Sequence, residues 1–363
     1  MRICMIVPNS EVKGGIASVV NGYRGSELER EYEISYVESY RNGSKWQKLG
    51  KALSGYSSFV RLLISHRPDI VHIHSSFGPS FYRKMPFIYL SSLCNIPVIN
   101  HVHGADFEEF YEKASVSKKK LIAKVYGKCT RVLVLSEEWK ENIGRIVPHG
   151  CIEILENYCT IPKEPYDSSR NMEQVLFIGE IGRRKGCYDI PGIWEKVVQQ
   201  VPSARLVMAG DGEVEQVRAA FEERNLISHV SFPGWVRGEG KERLFKESAV
   251  FLFPSYNEGM PMAVLEAMGY GMGIVTTAVG GIPRLIRHGE NGCVREPGDV
   301  ETISSDVAGL LTDRDRCIAY GRRAREVVIE NYSRERHLKR LSEIYKSVAQ
   351  GVVKPGTPPQ TME

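Results

Sequence analysis

Short apolar runs rich in valine and isoleucine alternate with helix-length amphipathic stretches along most of the chain. Such runs, bounded by polar and turn-forming residues, are typical of strands that are buried on both faces of a parallel sheet. The first half of the chain contains runs at 3–7, 33–37, 70–74, 98–103, 132–135 and 152–155. The second half contains runs at 175–178, 205–209, 230–232, 250–253 and 274–277. The pattern predicts an α/β chain with two Rossmann-like, doubly wound parallel sheets.

A polar, proline-containing segment separates the two series of strands, and we interpret it as a linker over 162–172. A chain of 363 residues also exceeds the size at which one hydrophobic core normally stops growing. We therefore predict an N-terminal domain over 1–161 and a C-terminal domain over 173–330. A helix over 331–350 carries apolar residues at helical spacing, so it must pack on a domain, and the N-terminal one is the candidate. The proline-rich end, 351–363, is predicted to be disordered. Because open sheets of this type bind ligands beyond the carboxyl ends of their strands, we expect the ligand site in a cleft where the two domains face each other.

The composition, with 42% hydrophobic and 25% charged residues, places the chain among globular soluble proteins. A net charge of +4, with no basic face that also carries aromatics, gives no indication of nucleic-acid binding. The eight cysteines include no CxxC pair, which indicates free thiols in a reducing compartment, and we predict a cytoplasmic location. The apolar stretches at 3–7 and 85–99 are interrupted by proline and polar residues, so neither matches a signal-peptide core or the ~20 residues that span a bilayer.

The segment from Phe253 to Met268 contains the most informative chemistry. A buried strand ends at Phe253, a glycine-containing turn follows, and Pro261 occupies the place of a first helical residue. Strong helix formers follow from Met262 onward. The free N–H groups and the positive dipole end of this helix therefore favour a phosphate group.

Two carboxylates flank the start of this helix, because Glu258 precedes it and Glu266 lies about a turn and a half inside it. Acids on a helix packed against a sheet are costly to bury without partners, and the hydroxyls of ribose and hexose are suitable ones. A pair with this spacing is also common on ordinary surface helices. This segment differs from such a helix in the motifs that surround the two acids, Pro-Ser-x-x-Glu-Gly-x-Pro and Leu-Glu-Ala-Met.

These residues resemble the signature of the retaining GT-B glycosyltransferases of glycosyltransferase family 4. Further motifs of that family occur in the family's order from residue 1 to about 300. They are Gly14–Ala17, Pro68–His74, His101–Gly104, Ser136–Glu137, Lys185–Gly186, Ala209–Gly212, Phe232–Trp235, Val279–Pro283 and Glu290–Gly292. The resemblance implies a GT-B fold and transfer of a sugar from a nucleoside diphosphate to an acceptor hydroxyl, with retention of the anomeric configuration and departure and attack on one face.

The resemblance also implies roles for individual residues. It assigns catalytic roles to Glu258 beside the donor sugar, to His103 near the transferred sugar, and to Lys185, whose charge opposes a diphosphate that becomes more negative as the bond breaks. Glu266 corresponds to the family's ribose-binding acid. The remaining donor-binding candidates are Gly14, Gly15, Arg183, Arg184, Gly259, Met260, Pro261 and Met262.

The same resemblance implies no cofactor and no metal, because helix dipole and lysine take the place of a cation. The Asp313-Arg314-Asp315 sequence is accordingly interpreted as the capped start of a helix. The partners implied are a nucleotide-sugar donor, with UDP favoured over GDP, and a glycan or lipid-linked acceptor in cell-surface polysaccharide or glycolipid assembly.

Two positions depart from the family pattern. Glu180 stands where the family usually has an arginine that binds the diphosphate, and Arg284 stands where a glutamate usually follows Gly-Gly-Ile-Pro. Arg183, Arg184 or Arg284 can restore the lost positive charge, and the sequence does not choose among them. The loss also leaves open a catalytically weak subunit that binds nucleotide sugars.

Other classes with related architecture fit the sequence less well. Sugar-nucleotide epimerases of the GT-B type remain an alternative, although they lack the Glu-Gly-x-Pro-x-x-x-Leu-Glu text. A nicotinamide-dependent enzyme is disfavoured because no Gly-x-Gly-x-x-Gly follows the first strand, and a P-loop is also absent.

A basic stretch over 113–131 adds an expectation about the acceptor. Lysines and one arginine alternate there with Leu121, Ile122, Val125 and Tyr126, which can line an apolar stripe. We interpret it either as an amphipathic helix on an anionic membrane surface, with peripheral attachment to the inner face of the plasma membrane, or as a solvated helix that packs its apolar side on the sheet.

Overall fold

The computed structural model describes residues 1–104, 107–163 and 170–351, which form two compact α/β units. The first unit spans Met1–Asn157 together with the C-terminal helix from Glu335, and the second spans Tyr158–Arg334. The division thus falls at residues 157 and 158 and not at 161. Most of the expected linker, at 164–169, lies outside the described residues, and strand begins at its end, at Asn171. The tail expected to be disordered also lies outside them beyond residue 351.

The first unit is built around six parallel strands in the order β2-β1-β3-β4-β5-β6. The strands are β1 (Arg2–Pro8), β2 (Glu33–Tyr40), β3 (Ile70–Ser75), β4 (Val98–Val102), β5 (Arg131–Val134) and β6 (Ile152–Ile154). The helices are α1 (Gly15–Asn21), α2 (Glu27–Glu31), α3 (Lys45–Ser65), α4 (Pro79–Leu93), α5 (Val116–Tyr126), α6 (Glu137–Gly144) and, at the end of the chain, α14 (Arg334–Ala349).

Helix α14 belongs to the first unit because its inward residues bond to that unit. The Tyr345 hydroxyl lies 2.6 Å from Nδ1 of His72 on β3, and Nε2 of His337 lies 2.8 Å from the Tyr23 hydroxyl. Lys346 forms an ion pair of 2.7 Å with Glu31. The helix therefore covers a sheet face lined with polar aromatic side chains.

The second unit contains six further parallel strands in the order β12-β11-β10-β7-β8-β9. The strands are β7 (Asn171–Ile178), β8 (Arg205–Ala209), β9 (Val230–Ser231), β10 (Ser248–Phe253), β11 (Gly273–Thr277) and β12 (Cys293–Arg295). The helices are α7 (Ile190–Gln200), α8 (Val214–Glu222), α9 (Gly238–Glu247), α10 (Met262–Gly269), α11 (Ile282–Leu285), α12 (Val300–Thr312) and α13 (Arg314–Asn331).

The prediction of two doubly wound parallel sheets is confirmed, and each predicted apolar run falls on a strand. The short strand β12 was not predicted because only its first residue is buried. The prediction that a strand extends to His103 is wrong by one residue, since β4 ends at Val102. Asp313 caps α13 by accepting from the Arg316 N–H, which confirms the interpretation of that sequence as a helix start.

All eight cysteines are free thiols. Among the residues that the structure describes, no helix combines the length and the hydropathy that crossing a bilayer requires.

Candidate functional site

The candidate site of the second unit lies where the strand order of its sheet reverses. Strands β7 and β10 are neighbours, with Val175 opposite Val250, although β8 and β9 separate them in the chain. The loops that follow these two strands leave the sheet side by side at its carboxyl edge, which is where sheets of this type bind ligands. One loop carries Lys185 and the other carries Glu258.

Backbone packing explains why a lysine is followed by glycine here. Residues Arg183–Lys185 form a 3-10 turn that ends at Gly186 with φ of 69°. A Cβ atom at Gly186 would lie 1.9 Å from the Pro254 carbonyl oxygen, so only glycine permits this approach. The lysine turn therefore lies directly against the loop that follows β10.

Glu258 is buried, and three polar groups surround its carboxylate. Its Oε1 lies 2.5 Å from Nζ of Lys185 and 3.5 Å from Nη1 of Arg184, and it accepts a hydrogen bond of 2.7 Å from the Ser255 hydroxyl. A Cβ atom at Gly280, where φ is 53°, would lie 1.8 Å from the Glu258 carbonyl oxygen. The Gly-Gly-Ile-Pro loop thus packs on the backbone of Glu258 and fixes its position.

Lys185 is the mostly buried cationic partner of this acid. Burial lowers the pKa of Lys185, while the Glu258 carboxylate opposes that change. The ammonium group also lies 4.6 Å from the ring centre of Phe253, the last residue of β10. An anion that enters here meets a cation whose charge is already held in place by the protein.

Arg184 lies between two acids. Its guanidinium is 3.6 Å from Oε2 of Glu180 and 3.5 Å from Oε1 of Glu258, and it donates a 3.1 Å hydrogen bond to the Asn257 carbonyl oxygen. Glu180, the residue that departs from the family pattern, therefore has a positive neighbour four positions later. Of the three candidate arginines, Arg184 is the one whose guanidinium lies beside Glu180.

The other two arginines are placed differently. The Arg183 guanidinium stacks 4.4 Å from the ring centre of Tyr188, and Arg284 is exposed on α11. A pocket of about 230 Å³ opens beside the lysine turn, smaller than the usual pocket for a whole nucleotide. Its lining residues are Glu180, Ile181, Gly182, Arg183, Arg184, Lys185, Gly212 and Glu213.

Helix α10 begins one residue later than expected. Met262 is its first residue and Pro261 is the N-cap, so the prediction of Pro261 as the first helical residue is wrong. The first hydrogen bond of the helix runs from the Leu265 N–H to the Pro261 carbonyl. The N–H groups of the first helical residues, which come before Leu265, therefore have no acceptor within the helix. Gly259 follows Glu258, and its carbonyl accepts a hydrogen bond of 2.8 Å from the Gly281 N–H. This bond fixes the backbone position of Gly259.

Glu266 lies on α10 and is bound by a residue that the sequence did not single out. Nζ of Lys241, on α9, is 2.7 Å from its Oε1, and both side chains are about three-quarters buried. The two residues are 25 positions apart on different helices, and this separation matches no regular helical or strand spacing that would link them in the sequence. This charge-assisted contact holds the Glu266 side chain in one orientation.

The site candidates of the first unit lie at the carboxyl ends of β1 and β4. Gly14 has φ of 136° and caps α1, whose first residue is Gly15. His103 directly follows β4, and its Nε2 is 3.0 Å from Nδ1 of His74 on the neighbouring strand. The structure thus assigns Gly14, Gly15 and His103 to one unit and the other candidates to the second unit.

His103 is one of a ladder of imidazoles on one sheet face. His74 lies opposite His101 in register, and His72 lies two residues before His74. Burial lowers the pKa of His103 to about 3, with the nearby His337 adding to the effect, and it also lowers the pKa of His72 to about 3. These rings are therefore neutral at physiological pH. A neutral histidine at the end of a strand can donate a hydrogen bond through one ring nitrogen and accept one through the other.

Two groups of described residues bring metal-ligating atoms within 4.8 Å of one another. One is His72, His74 and His101, and the other is His288, Cys293 and Asp306. Both oxygens of Asp306 in the second group are bound by Arg295, at 2.6 and 3.0 Å. The Asp313-Arg314-Asp315 sequence belongs to neither group.

The basic stretch over 113–131 forms α5 and the turns beside it. Ile122, Val125 and Tyr126, three of the four residues expected to line an apolar stripe, are buried in the core of the unit, and Leu121 packs against that core. Because the core takes this side of the helix, α5 presents lysines to solvent without a free apolar face.

The chain matches two family models that follow one another along the sequence. The model described as Glycosyl transferases group 1 matches residues 163–327, and the model described as Glycosyltransferase Family 4 matches residues 17–158. The N-acetyl-alpha-D-glucosaminyl L-malate synthase of Bacillus anthracis is 29% identical over 292 residues, which cover 77% of this chain and 75% of that protein.

Two further similarities extend over most of the chain. The UDP-Gal:alpha-D-GlcNAc-diphosphoundecaprenol alpha-1,3-galactosyltransferase of Escherichia coli is 23% identical over 317 residues, or 81% of this chain and 79% of that protein. The structure of a sucrose-phosphate synthase from Thermosynechococcus elongatus superposes with a TM-score of 0.81 and 16% identity, covering 96% of this chain and 99% of that one. At 16% identity, the similarity to the sucrose-phosphate synthase structure shows a shared fold and nothing more.

Proposed function

Because the chain belongs to the GT-B glycosyltransferases of glycosyltransferase family 4, we propose that it transfers a sugar from a nucleoside diphosphate to an acceptor hydroxyl with retention of configuration. The observation that carries the proposal is the contact between Lys185 and Glu258 beside the first turn of α10. A cation, a buried acid and a helix N-terminus are there fixed within one unit. These are the groups needed to hold a diphosphate and a sugar ring at the same time.

In the proposed reaction the cations of the lysine turn exchange their partner, from the Glu258 carboxylate to the diphosphate of the donor. Lys185 and Arg184 now neutralise Glu258, and the incoming diphosphate offers them a stronger anion. Glu258 is then left to accept hydrogen bonds from the donor sugar, while Ser255 continues to donate to it. As the glycosidic bond breaks, negative charge grows on the diphosphate, and the lysine and helix N-terminus stabilise it.

We favour a UDP-sugar as donor and a glycan or lipid-linked hydroxyl as acceptor in cell-surface polysaccharide or glycolipid assembly. The name of the Escherichia coli relative, which contains both UDP-Gal and a diphosphoundecaprenol acceptor, supports this choice. We place the reaction in the cytoplasm because eight free thiols suit a reducing compartment.

The test is a panel of UDP- and GDP-sugars, scored by release of the nucleoside diphosphate in the presence of candidate acceptors. We expect turnover with a UDP-sugar and a product whose anomeric configuration, read from proton coupling, equals that of the donor. Inversion would refute the retaining mechanism. Turnover only with GDP-sugars would refute the choice of base and leave the class of reaction standing.

Replacing Glu266 with alanine should lower the affinity for UDP about tenfold to thirtyfold, because a carboxylate that accepts from ribose hydroxyls contributes about 1.5–2 kcal/mol. Wild type should also prefer UDP over 2′,3′-dideoxy-UDP, and this preference should vanish in the variant. Calorimetric titration of both nucleotides measures the two effects. The matched control is Glu242→Ala, which removes an exposed acid of α9 paired with Lys246 and should leave the preference intact. If the Glu266 variant still preferred UDP over the dideoxy nucleotide, Glu266 would not be the residue that binds the ribose hydroxyls.

A further inference from the structure

Helix α3 of the first unit exposes several of its large apolar side chains to solvent. Five of them are exposed by two-fifths or more of their surface, namely Trp46 (82%), Leu49 (50%), Leu53 (56%), Val60 (41%) and Ile64 (83%). At 3.6 residues per turn these positions fall within an arc of about 60°, so they form one continuous line, the apolar stripe of α3. Isolated exposed apolar residues are ordinary, but a continuous row along about five turns of helix marks an interaction surface.

The core of the unit does not need this stripe. Ala52, Gly55 and Phe59 form the buried side of α3, and a Cβ atom at Gly55 would lie 2.8 Å from the Glu38 carbonyl oxygen. The helix thus approaches β2 closely at Gly55, and Phe59 fills the core. Tyr56, Leu62 and Leu63 pack against that core, so the stripe is a second apolar side of the same helix. An ordinary surface helix carries polar residues on its outward side.

The charged residues of α3 itself have one sign. From Arg41 to Pro68 the sequence contains six lysines and arginines and no aspartate or glutamate. Lys51 is paired with Glu38 at 2.5 Å, while Lys45 and Lys48 are exposed at the same end of the helix as Trp46. A tryptophan and aliphatic residues bordered by lysines are the composition of helices that lie in the interface of an anionic bilayer.

The neighbouring helices extend this character. Helix α4 contacts both α3 and α5, so the three helices lie side by side on the unit. Helix α4 contributes an exposed Tyr82, and α5 contributes exposed lysines such as Lys120 and Lys124. The basic α5 can add electrostatic attraction, but the apolar contact must come from α3.

We propose that the apolar stripe of α3 docks the first unit on the surface of an anionic lipid bilayer, with the helix lying in the interface and the adjacent lysines contacting lipid phosphates. A second copy of this chain fits the stripe less well, because two-fold pairing would bring the lysines of one helix toward those of the other. The proposal goes beyond the transfer reaction and does not depend on which sugar is moved.

The experiment is cosedimentation of the full chain, without donor, with phosphatidylcholine vesicles that contain or lack phosphatidylglycerol. We expect binding to the anionic vesicles and an about tenfold weaker partition for Leu49→Gln/Leu53→Gln/Ile64→Gln, since three exposed side chains lose their insertion. The matched control is Val116→Gln/Ile329→Gln, which changes exposed apolar residues on α5 and α13 and should bind like wild type.

Trp46 supplies a second readout at the stripe itself. Trp139 and Trp194 are buried, whereas Trp46 is 82% exposed, so insertion should shift the fluorescence of Trp46 to shorter wavelength. Trp46→Phe should abolish most of that shift and retain sedimentation.

Three outcomes would overturn the proposal. They are equal recovery of wild type and the triple variant with anionic vesicles, no fluorescence shift on binding, and a lipid-free dimer that the triple variant dissociates in analytical ultracentrifugation. The last result would assign the stripe to a second copy. Because no donor is present, none of these results bears on the proposed transfer reaction.

Discussion

Lys185→Met is expected to lower kcat/KM by about 10³-fold and the free energy of unfolding of the second unit by about 3 kcal/mol. The loss of activity follows because the ammonium group opposes charge that grows on the leaving diphosphate. The loss of stability follows because Glu258, which is 6% exposed, keeps just Ser255 and the more distant Arg184 as partners among the residues that the structure describes. Steady-state kinetics and urea unfolding measure the two effects on the same protein.

A double variant separates the two roles of the lysine. In Lys185→Met/Glu258→Gln no buried charge lacks a partner, so most of the lost unfolding free energy should return while kcat/KM stays low. Arg183→Met is the matched control, because this arginine belongs to the same turn but stacks on Tyr188 with no acid within ion-pair distance among the described residues. Its unfolding free energy should change by less than about 1 kcal/mol.

The kinetics of these variants also decide which cation serves the diphosphate. If Lys185→Met left kcat/KM near the wild-type value while Arg183→Met or Arg184→Met reduced it about 10³-fold, the diphosphate role would pass to that arginine. Equal stability of Lys185→Met and wild type would mean that the contact with Glu258 contributes nothing to folding.

The architecture could be predicted because its signal is local. Strands buried on both faces must be apolar over consecutive residues, and β8, predicted at 205–209, begins and ends at those residues. The motif glycines were equally visible, and the structure gives two of them a cause: Gly186 and Gly280 each admit a carbonyl oxygen of the loop after β10. Such positions tolerate one residue type, so they leave a trace in the sequence.

The partners of the site acids could not be predicted, because they depend on which loops meet in space. Lys241 reaches Glu266 from another helix, and Arg184 reaches Glu258 only because β7 and β10 are neighbours. A lysine or an arginine on an exposed turn looks the same in sequence whether it faces water or an acid. The spacing of residues therefore located the acids but not the charges that hold them.

Helix α3 shows a different limit of sequence reasoning. Its sequence contains apolar residues on more than one side, and the inward side is chosen by the close approach of Gly55 to β2. In α5, Ile122, Val125 and Tyr126 point inward, as expected for a helix packed on a sheet. The basic composition drew attention to α5, whereas the exposed apolar surface belongs to α3.

Acidification is expected to unfold the first unit through its buried imidazoles. Burial lowers the pKa of His72 and His103 to about 3 and that of His337 to about 4, and it holds the pKa values of His74 and His101 well below 6.5. In the unfolded chain these groups take up protons near pH 6.5. Between that pH and about 3 the unfolded chain therefore binds more protons than the folded unit, so stability is complete above pH 6.5 and declines as the pH falls below it.

The size of the effect follows from the number of histidines involved. Each imidazole that stays neutral only in the folded unit lowers the unfolding free energy by about 1.4 kcal/mol between pH 7.5 and 5.5, so two of the five remove about 3 kcal/mol. Urea unfolding of the full chain at a series of pH values measures the slope. The ring nitrogens of His101 have no well-formed hydrogen bond among the described residues, so His101→Phe breaks none. This variant should take up about one proton fewer on unfolding, and its slope should be smaller by that amount. The exposed His66 gives the control His66→Gln, whose slope should equal that of wild type. A stability that stays constant from pH 7.5 to 5.5 would show that these imidazoles are not excluded from protonation by folding.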